Sequence, residues 1–504
     1  MTTTSQFTRV LPVTVYTPEQ VRLNEPKAAE QAGLTLYELM QAAGGAAFNF
    51  LQSIYPLGCR LGVVCGSGNN AGDGYIVAYL AKLAGWPVTV VEMPGVSQLK
   101  QEALLAQQAY VNTGATINSI DEIDLSSFEI IVDAVLGTGT ERVLSAEWSN
   151  IINEINTVPA LTVSLDIPSG LNAYTGAMMG AAIEADHTVT FIALKSGLLT
   201  AQAADHIGVL YFAGLDVNHI FDAQNKAYYY RSDWDALRSL LPTRKRTSYK
   251  TQFGKVVCIG GDKGMAGAIK MASEACLRAG AGLVTVLTHP DNVLQVASGR
   301  PELMVYGVNG LDQDVLTLLD NADVVLAGPG MGRSGWAHGF MSHIVTLDKP
   351  MIIDADALNW LANQPHKNRN WILTPHVGEA ARLLAQNGES IELDRFSANF
   401  EICARYGGVS ILKGAGSLIS SSQQTHICTA GNPGMATGGM GDVLAGITAA
   451  IVAQKSSLGL SLFQAAELAV CLHAKAGDLA AKQGERGMIA SDLIHHIRTL
   501  VNPS

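Results

Sequence analysis

Gly431-Asn432-Pro433-Gly434-Met435-Ala436-Thr437-Gly438-Gly439-Met440-Gly441-Asp442 runs directly into Val443-Leu444-Ala445-Gly446-Ile447. The first part holds five glycines and one proline, so it cannot be a helix interior. The second part is apolar and small, and it reads as a buried helix. A flexible loop therefore feeds a helix N-terminus. The amides of a first helical turn lack partners inside the helix and carry partial positive charge. Glycines let an anion approach them closely. Asp442 stands where the loop becomes helix. A carboxylate beside a phosphate binds it poorly, but it makes sense as a base taking a proton from a hydroxyl that meets a phosphoryl group. The plainer alternative is that Asp442 is an N-cap.

A chain of 504 residues is too long for one ordinary core, so two domains are expected. Hydrophobic residues at 48% against 15% charged place it among globular chains. A net charge of −11 argues against a nucleic-acid or anionic-membrane surface. Bound phosphate must then be held by local amides and a few cations. The seven cysteines show no metal-ligand spacing, and an odd number suits no disulfide framework. Residues Met1 to Pro12 lack an apolar signal core, and the longest uncharged apolar run, Val443 to Gln454, is too short to span a bilayer. A cytoplasmic enzyme acting on small molecules is expected, with no nucleic-acid or membrane partner. A homo-oligomer is expected.

Strands alternate with helices along the whole chain. Two helices, Pro18 to Gly33 and Leu34 to Tyr55, precede strand Arg60 to Cys65 and the loop Gly66-Ser67-Gly68-Asn69-Asn70-Ala71-Gly72-Asp73-Gly74. Strands Val88 to Glu92, Glu129 to Val135 and Leu161 to Leu165 follow, and strands near Val189 and Val209 close the unit. The rhythm breaks between Asp222 and Gln252, where Arg244-Lys245-Arg246 reads as a solvated linker or a partner patch. The expected domains are residues 1–224 and 225–504. The second unit repeats the pattern from strand Lys255 to Ile259 onward. Both are read as three-layer α/β/α domains with largely parallel sheets, whose ligands meet the carboxyl ends of the strands.

Gly66-Ser67-Gly68-Asn69-Asn70-Ala71 matches Gly-x-Gly-x-x-Ala after a strand, and Glu92 ends the next strand. That is a Rossmann-type dinucleotide fingerprint, which leaves hydride transfer open. Asn69, Asn70 and Asp73 add polar groups that a pyrophosphate turn does not need. Asn70, Asp133 and Ser169 end neighbouring strands or loops and form an oxygen set suited to a hard monovalent cation. Asp133 and Ser169 as turn caps is the competing reading. Gly414-Ala415-Gly416-Ser417 lacks the Gly-Lys-Ser/Thr of a P-loop.

Taken together, several motifs carry a resemblance. Asn69 to Gly74, Asp133-Ala134-Val135-Leu136-Gly137-Thr138-Gly139 and Asp166-Ile167-Pro168-Ser169-Gly170 resemble the epimerase domain of NAD(P)H-hydrate repair enzymes. Gly260 to Ala268, Gly328-Pro329-Gly330-Met331-Gly332, Thr374-Pro375-His376-Val377-Gly378-Glu379, Lys413 to Ser417 and Gly438 to Asp442 resemble their ribokinase-like dehydratase domain. The resemblance covers nearly the whole chain. It implies a Rossmann-like N-terminal domain, a ribokinase-like C-terminal domain and both activities.

It further implies K⁺ at Asn70, Asp133 and Ser169. The hydrated nucleotide would meet Asn69, Asn70, Ala71, Gly72, Asp73, the segment Gly137, Thr138, Gly139, Thr140, Glu141, Arg142 and Val143, and Asp166. In the second domain it would meet Ala268, Gly330, Gly332, His376 and Asp442. ADP, with ATP possible, would meet Lys413, Gly414, Ala415, Gly416, Ser417 and Gly441. Mg²⁺ would be held with help from Asp354 and Asp356 through water. Ala71 stands where the family usually has Gly, and Tyr174 where Asp is common.

The damaged cofactor has a hydroxyl on the carbon next to the ring nitrogen. An epimerase lets that carbon open and reclose on the other face, with Asp166, or else Asp73, moving the proton. A dehydratase phosphorylates the hydroxyl, with Asp442 as base, and phosphate then leaves. A small-molecule kinase of the hydroxymethylpyrimidine type, fused to a nucleotide-binding module, is the alternative.

Overall fold

A computed structural model describes residues 6–96, 98–139 and 142–502. The chain forms two compact units, residues 1–230 and 231–504.

The N-terminal unit is built on a 7-stranded parallel sheet. Its strands lie in the order Ile117–Ser119, Val88–Glu92, Leu61–Cys65, Ile130–Ala134, Leu161–Leu165, His187–Phe191 and Val209–Ala213. Consecutive residues of one strand enter different cores. Val63, Ile130 and Val132 pack into one cluster, and Val64 and Ile131 into another. Both faces are therefore covered, as an all-parallel sheet requires. The helices Pro18–Gln31 and Leu36–Ile54 start at Thr17 and Thr35, each closing a capping box with Gln20 and Glu38. Four short strands in this part of the chain were not expected from the sequence: Thr14–Tyr16, Ile117–Ser119, Leu194–Lys195 and Tyr229–Arg231. Tyr230 pairs with Thr14 and Tyr229 with Val15, so the compact unit extends past residue 224 to Tyr230.

The C-terminal unit has parallel strands in the order Met304–Gly307, Leu283–Thr288, Lys255–Ile259, Val324–Ala327, Met351–Ile353, Trp371–Leu373 and Val409–Leu412. Ser417–Ser420 and Thr425–Cys428 extend it antiparallel. The helix Met440–Leu458 is buried along nearly its whole length and packs on Ala266–Arg278 and Leu462–Ala480. Both units thus have parallel-rich sheets with helices on both sides. Among the described residues, no helix is long and apolar enough to cross a membrane.

Candidate functional sites

In the N-terminal unit, neighbouring strand ends meet above the sheet. Gly66 follows strand Leu61–Cys65, and a Cβ there would lie 2.0 Å from the Val135 carbonyl oxygen. Only glycine permits that approach. The helix Asn69–Leu83 then begins with Gly68 as its N-cap, which has no side chain to cap the free amides. Asn70 donates from Nδ2 to the Leu136 carbonyl at 2.8 Å. Its Oδ1 is buried and has no hydrogen-bond partner among the described residues. Ala71 is fully buried inside the first helical turn, where its ordinary backbone serves.

Asp133 is buried at the end of strand Ile130–Ala134. Its Oδ1 accepts from Ser169 Oγ at 2.5 Å and from the Val135 amide at 3.3 Å. Its Oδ2 accepts from Ser164 Oγ at 2.7 Å and the Ser169 amide at 2.8 Å. Burial still raises its pKa, although these donors oppose the rise. Asn70 and Ser169 both bond to Leu136, through its carbonyl and its amide respectively, so the three expected oxygen ligands surround one loop.

Above them lies a cavity of about 370 Å³. Of the residues expected to meet the nucleotide, Asn69, Asn70, Asp73, Gly137, Thr138, Gly139 and Asp166 line it. Ala71, Gly72, Arg142 and Val143 do not, and Arg142 and Val143 are exposed. Thr140 and Glu141 lie outside the described residues. Asp166 takes a left-handed backbone, φ 63°, which aspartate tolerates better than most residues. Its Oδ1 accepts from Thr190 Oγ1 at 3.2 Å, from the Phe191 amide at 3.3 Å and from Lys195 Nζ. Lys195 is 1% exposed. A lysine that deep needs a paired charge, and Asp166 supplies it. Burial drives the Asp73 carboxyl well above its ordinary range, with Asp166 and Glu25 adding to the rise and Lys195 opposing it. Tyr174 turns its hydroxyl to that of Tyr229 at 2.9 Å.

Sequence reasoning missed Lys195 and Glu25, which also line this cavity. For Lys195 a signal existed: it is the one charge in the run Phe191 to Leu199. Glu25, in a mixed-face helix, gave none.

In the C-terminal unit, the stretch Gly431 to Asp442 resolves one alternative. The N-cap of helix Met440–Leu458 is Gly439, left-handed at φ 91°, and no side chain caps it. Asp442 therefore lies inside the first turn and is not the cap. Lys413, at the end of strand Val409–Leu412, reaches Asp354 Oδ1 at 3.0 Å and Glu379 Oε2 at 3.6 Å. Thr374 Oγ1 donates to the same Asp354 oxygen at 2.7 Å. Burial opposes the charge on Lys413, but Asp354 and Glu379 outweigh it and its pKa rises. A Cβ on Gly441 would stand 3.1 Å from Lys413 Nζ and 3.8 Å from Asp354 Oδ2. The loop, the lysine and the buried carboxylate thus meet. Burial, then Asp354, pushes Asp442 up to about 7; Asp356 and Glu379 add to this while Lys413 opposes it.

His376 caps helix Val377–Leu384, its Nδ1 accepting from the Gly378 amide at 2.9 Å. Its own amide donates to Glu379 Oε2 at 2.8 Å. Burial lowers its pKa, although Glu379 opposes this. The Gly332 amide donates to Asp356 Oδ2 at 2.8 Å, and a Cβ on Gly330 would lie 3.3 Å from that of Ala268. Ala268, Gly330, Gly332 and Asp356 thus form one wall. Behind Gly414 stands Arg395, also missed from sequence: it is 1% exposed and donates to the Leu412 carbonyl at 3.3 Å. Ser417 opens strand Ser417–Ser420 and bonds back to the Gly414 carbonyl at 3.0 Å, closing the Lys413 to Ser417 turn.

Comparison with known proteins separates the same two parts. Residues 256–499 match the family model described as NAD(P)H-hydrate dehydratase, and residues 36–197 the one described as YjeF-related protein N-terminus. The bifunctional NAD(P)H-hydrate repair enzyme Nnr of Escherichia coli (strain K12) is 46% identical over 496 residues, covering 98% of this chain and 95% of the relative. The protein of the same description from Coxiella burnetii is 44% identical, with 97% and 99% covered. A solved ribokinase-like superfamily protein from Enterococcus faecalis is 31% identical with a TM-score of 0.50, covering 55% of this chain and 96% of its own.

Proposed function

The chain belongs to the family of bifunctional NAD(P)H-hydrate repair enzymes, and we propose that residues 1–230 epimerise the R and S hydrates of NADH and NADPH, while residues 231–504 dehydrate the S hydrate and convert ADP to AMP and phosphate. The observation that carries the reading is the placement of Asp442. It sits in the first turn of a helix whose amides are uncapped, beside a lysine held by two carboxylates.

Hydroxide is a poor leaving group, so the hydroxyl is first phosphorylated. Asp442 takes the hydroxyl proton as the oxygen attacks the phosphoryl group of ADP. The amides at Gly438 to Gly441 hold the transferring phosphoryl. Lys413, fixed by Asp354 and Glu379, presents a positive charge to phosphate. The ring nitrogen then expels phosphate, and loss of a proton restores the double bond. Asp354 keeps Oδ2 outside its bonds to Thr374 and Lys413, and carboxylate oxygens suit a hard divalent ion. Asp354 and Asp356 would hold Mg²⁺ through water, and when bound it neutralises phosphate charge. His376 and the wall of Ala268, Gly330 and Gly332 would receive the nicotinamide nucleotide.

In the N-terminal unit, Asn70 Oδ1 is a buried acceptor without a donor among the described residues, and Asp133 is a buried carboxylate whose charge burial disfavours. A monovalent cation answers both. Asn70, Asp133 and Ser169 would hold K⁺, which when bound fixes the loop that carries Leu136 and Gly137. The seven unpaired, buried cysteines suit a reducing compartment, and we place the enzyme in the cytoplasm.

The test uses full-length protein with hydrated NADH. Without nucleotide, the two epimers should interconvert and no dihydronicotinamide absorbance should return. With ADP or ATP it should return in full. A phosphorylated product that accumulates without that absorbance would support the kinase alternative and sink the lyase reading. That alternative is not favoured, because relatives aligned over nearly the whole chain are repair enzymes.

A further inference from the structure

Epimerisation at the hydroxyl-bearing carbon passes through a planar centre. One face must give a proton to the departing oxygen, and the other must take one from the oxygen that returns. A single carboxyl fixed at one strand end serves one face. The N-terminal cavity holds Arg22, Glu25, Asp73, Glu102, Asp166 and Lys195 as its charged groups. Asp166 is fixed by Lys195, and among the described residues its side chain accepts hydrogen bonds at Oδ1, which leaves Oδ2 for a water. Glu25 enters the same cavity from a different element, the helix Pro18–Gln31. Among the described residues its carboxyl makes no hydrogen bond and no ion pair, although it is only partly exposed.

We propose that Glu25 is the second acid–base residue of epimerisation and works on the opposite face of the nicotinamide ring from Asp166. This rests on the epimerase reading of the N-terminal unit. Glu25 gives its proton to the hydroxyl, the C–O bond breaks, and its electron pair leaves on water. The lone pair of the ring nitrogen closes the C=N bond. Water then adds to the other face, its proton passes to Asp166 Oδ2, and the electrons return to nitrogen. Nothing is oxidised or reduced, and the reverse reaction exchanges the two roles. Burial raises Glu25 to about 7, with Lys195 opposing and Asp166 adding, so it can carry or release a proton near neutrality. Burial and the Asp166 and Glu25 charges hold the Asp73 carboxyl well above its ordinary range, which disfavours its charged form.

The test is Glu25→Gln in the full chain without nucleotide, run from each purified epimer in turn in ¹⁸O-water. Epimerisation should fall about 100- to 10,000-fold with KM little changed, as for loss of a general acid–base group. Exchange of ¹⁸O into one epimer should persist through Asp166, and Glu25→Asp should restore part of the epimerisation. The wild-type pH limb near 7 should vanish in Glu25→Gln. Epimerisation within about threefold of wild type overturns the proposal. So does equal loss of exchange and epimerisation from both epimers, which would make Glu25 a structural group. A wild-type chain that does not epimerise at all removes the epimerase reading and this role with it.

Discussion

Asp442 has a measurable signature apart from catalysis. Its folded pKa of about 7 lies above the ordinary 3.8, so between those values the native state holds a proton that the unfolded chain releases. The stability this gives is fully present below pH 3.8 and is lost as pH rises through 7. Asp442→Asn keeps the shape and removes the buried charge. It should raise the melting temperature at pH 8 and leave it unchanged at pH 3.5, as calorimetry would read. The same substitution should cut dehydration about 100- to 10,000-fold while sparing ADP affinity. Wild-type dehydration should rise with pH through about 7, because the base must be ionised. If affinity and rate fall together in Asp442→Asn, the base assignment is wrong. At Asn70 the prediction concerns an ion. Asn70→Ala removes the orphaned Oδ1, and potassium should then no longer stimulate epimerisation over a choline chloride control. An unchanged potassium response would remove that site.

Helix Met440–Leu458 sets where Asp442 stands, and Gly446 sets where the helix stands. A Cβ at Gly446 would lie 2.0 Å from the Ala272 carbonyl oxygen, so Gly446→Ala must push this helix off Ala266–Arg278. Overpacking of this kind costs about 1–3 kcal/mol. It should move Asp442, one turn earlier, away from the wall that contains Ala268. Dehydration should fall while epimerisation persists, with a lower urea midpoint for the C-terminal unit. Full dehydration with normal stability would show that this contact does not position the site. What the sequence discloses follows from the same distinction. The Gly439 to Asp442 turn is legible because its glycines are a local requirement. Lys195, Glu25 and Arg395 gain their character from burial by distant segments, and one residue's neighbours in sequence do not encode that. Strands of two or three residues, such as Leu194–Lys195, exist only because another strand pairs with them. Asp442 as cap or base was open in the sequence. The cap reading fell only when Gly439 took the cap position, and the base reading awaits the substitution above.

Among the described residues, the buried clusters Leu237 to Ile497, Tyr16 to Ala227 and Val64 to Ala185 each lie within one of the two units. Each should therefore fold alone. Residues 1–230 should epimerise without nucleotide, and residues 231–504 should dehydrate only the S hydrate. A shorter piece ending at 224 loses the pairing of Tyr229 and Tyr230 with Val15 and Thr14, and it should melt earlier than 1–230. Equal melting would mean that this pairing adds nothing. The buried cysteines turn that division into a readout. Cys59 and Cys65 belong to the first unit, and Cys258, Cys276, Cys403, Cys428 and Cys471 to the second. A thiol packed away from solvent is shielded from alkylation until its surroundings open. Brief exposure to isotope-coded iodoacetamide, followed by peptide mass spectrometry, would make each cysteine a clock for the opening of its own unit, two hands for one activity and five for the other in a single uncut chain.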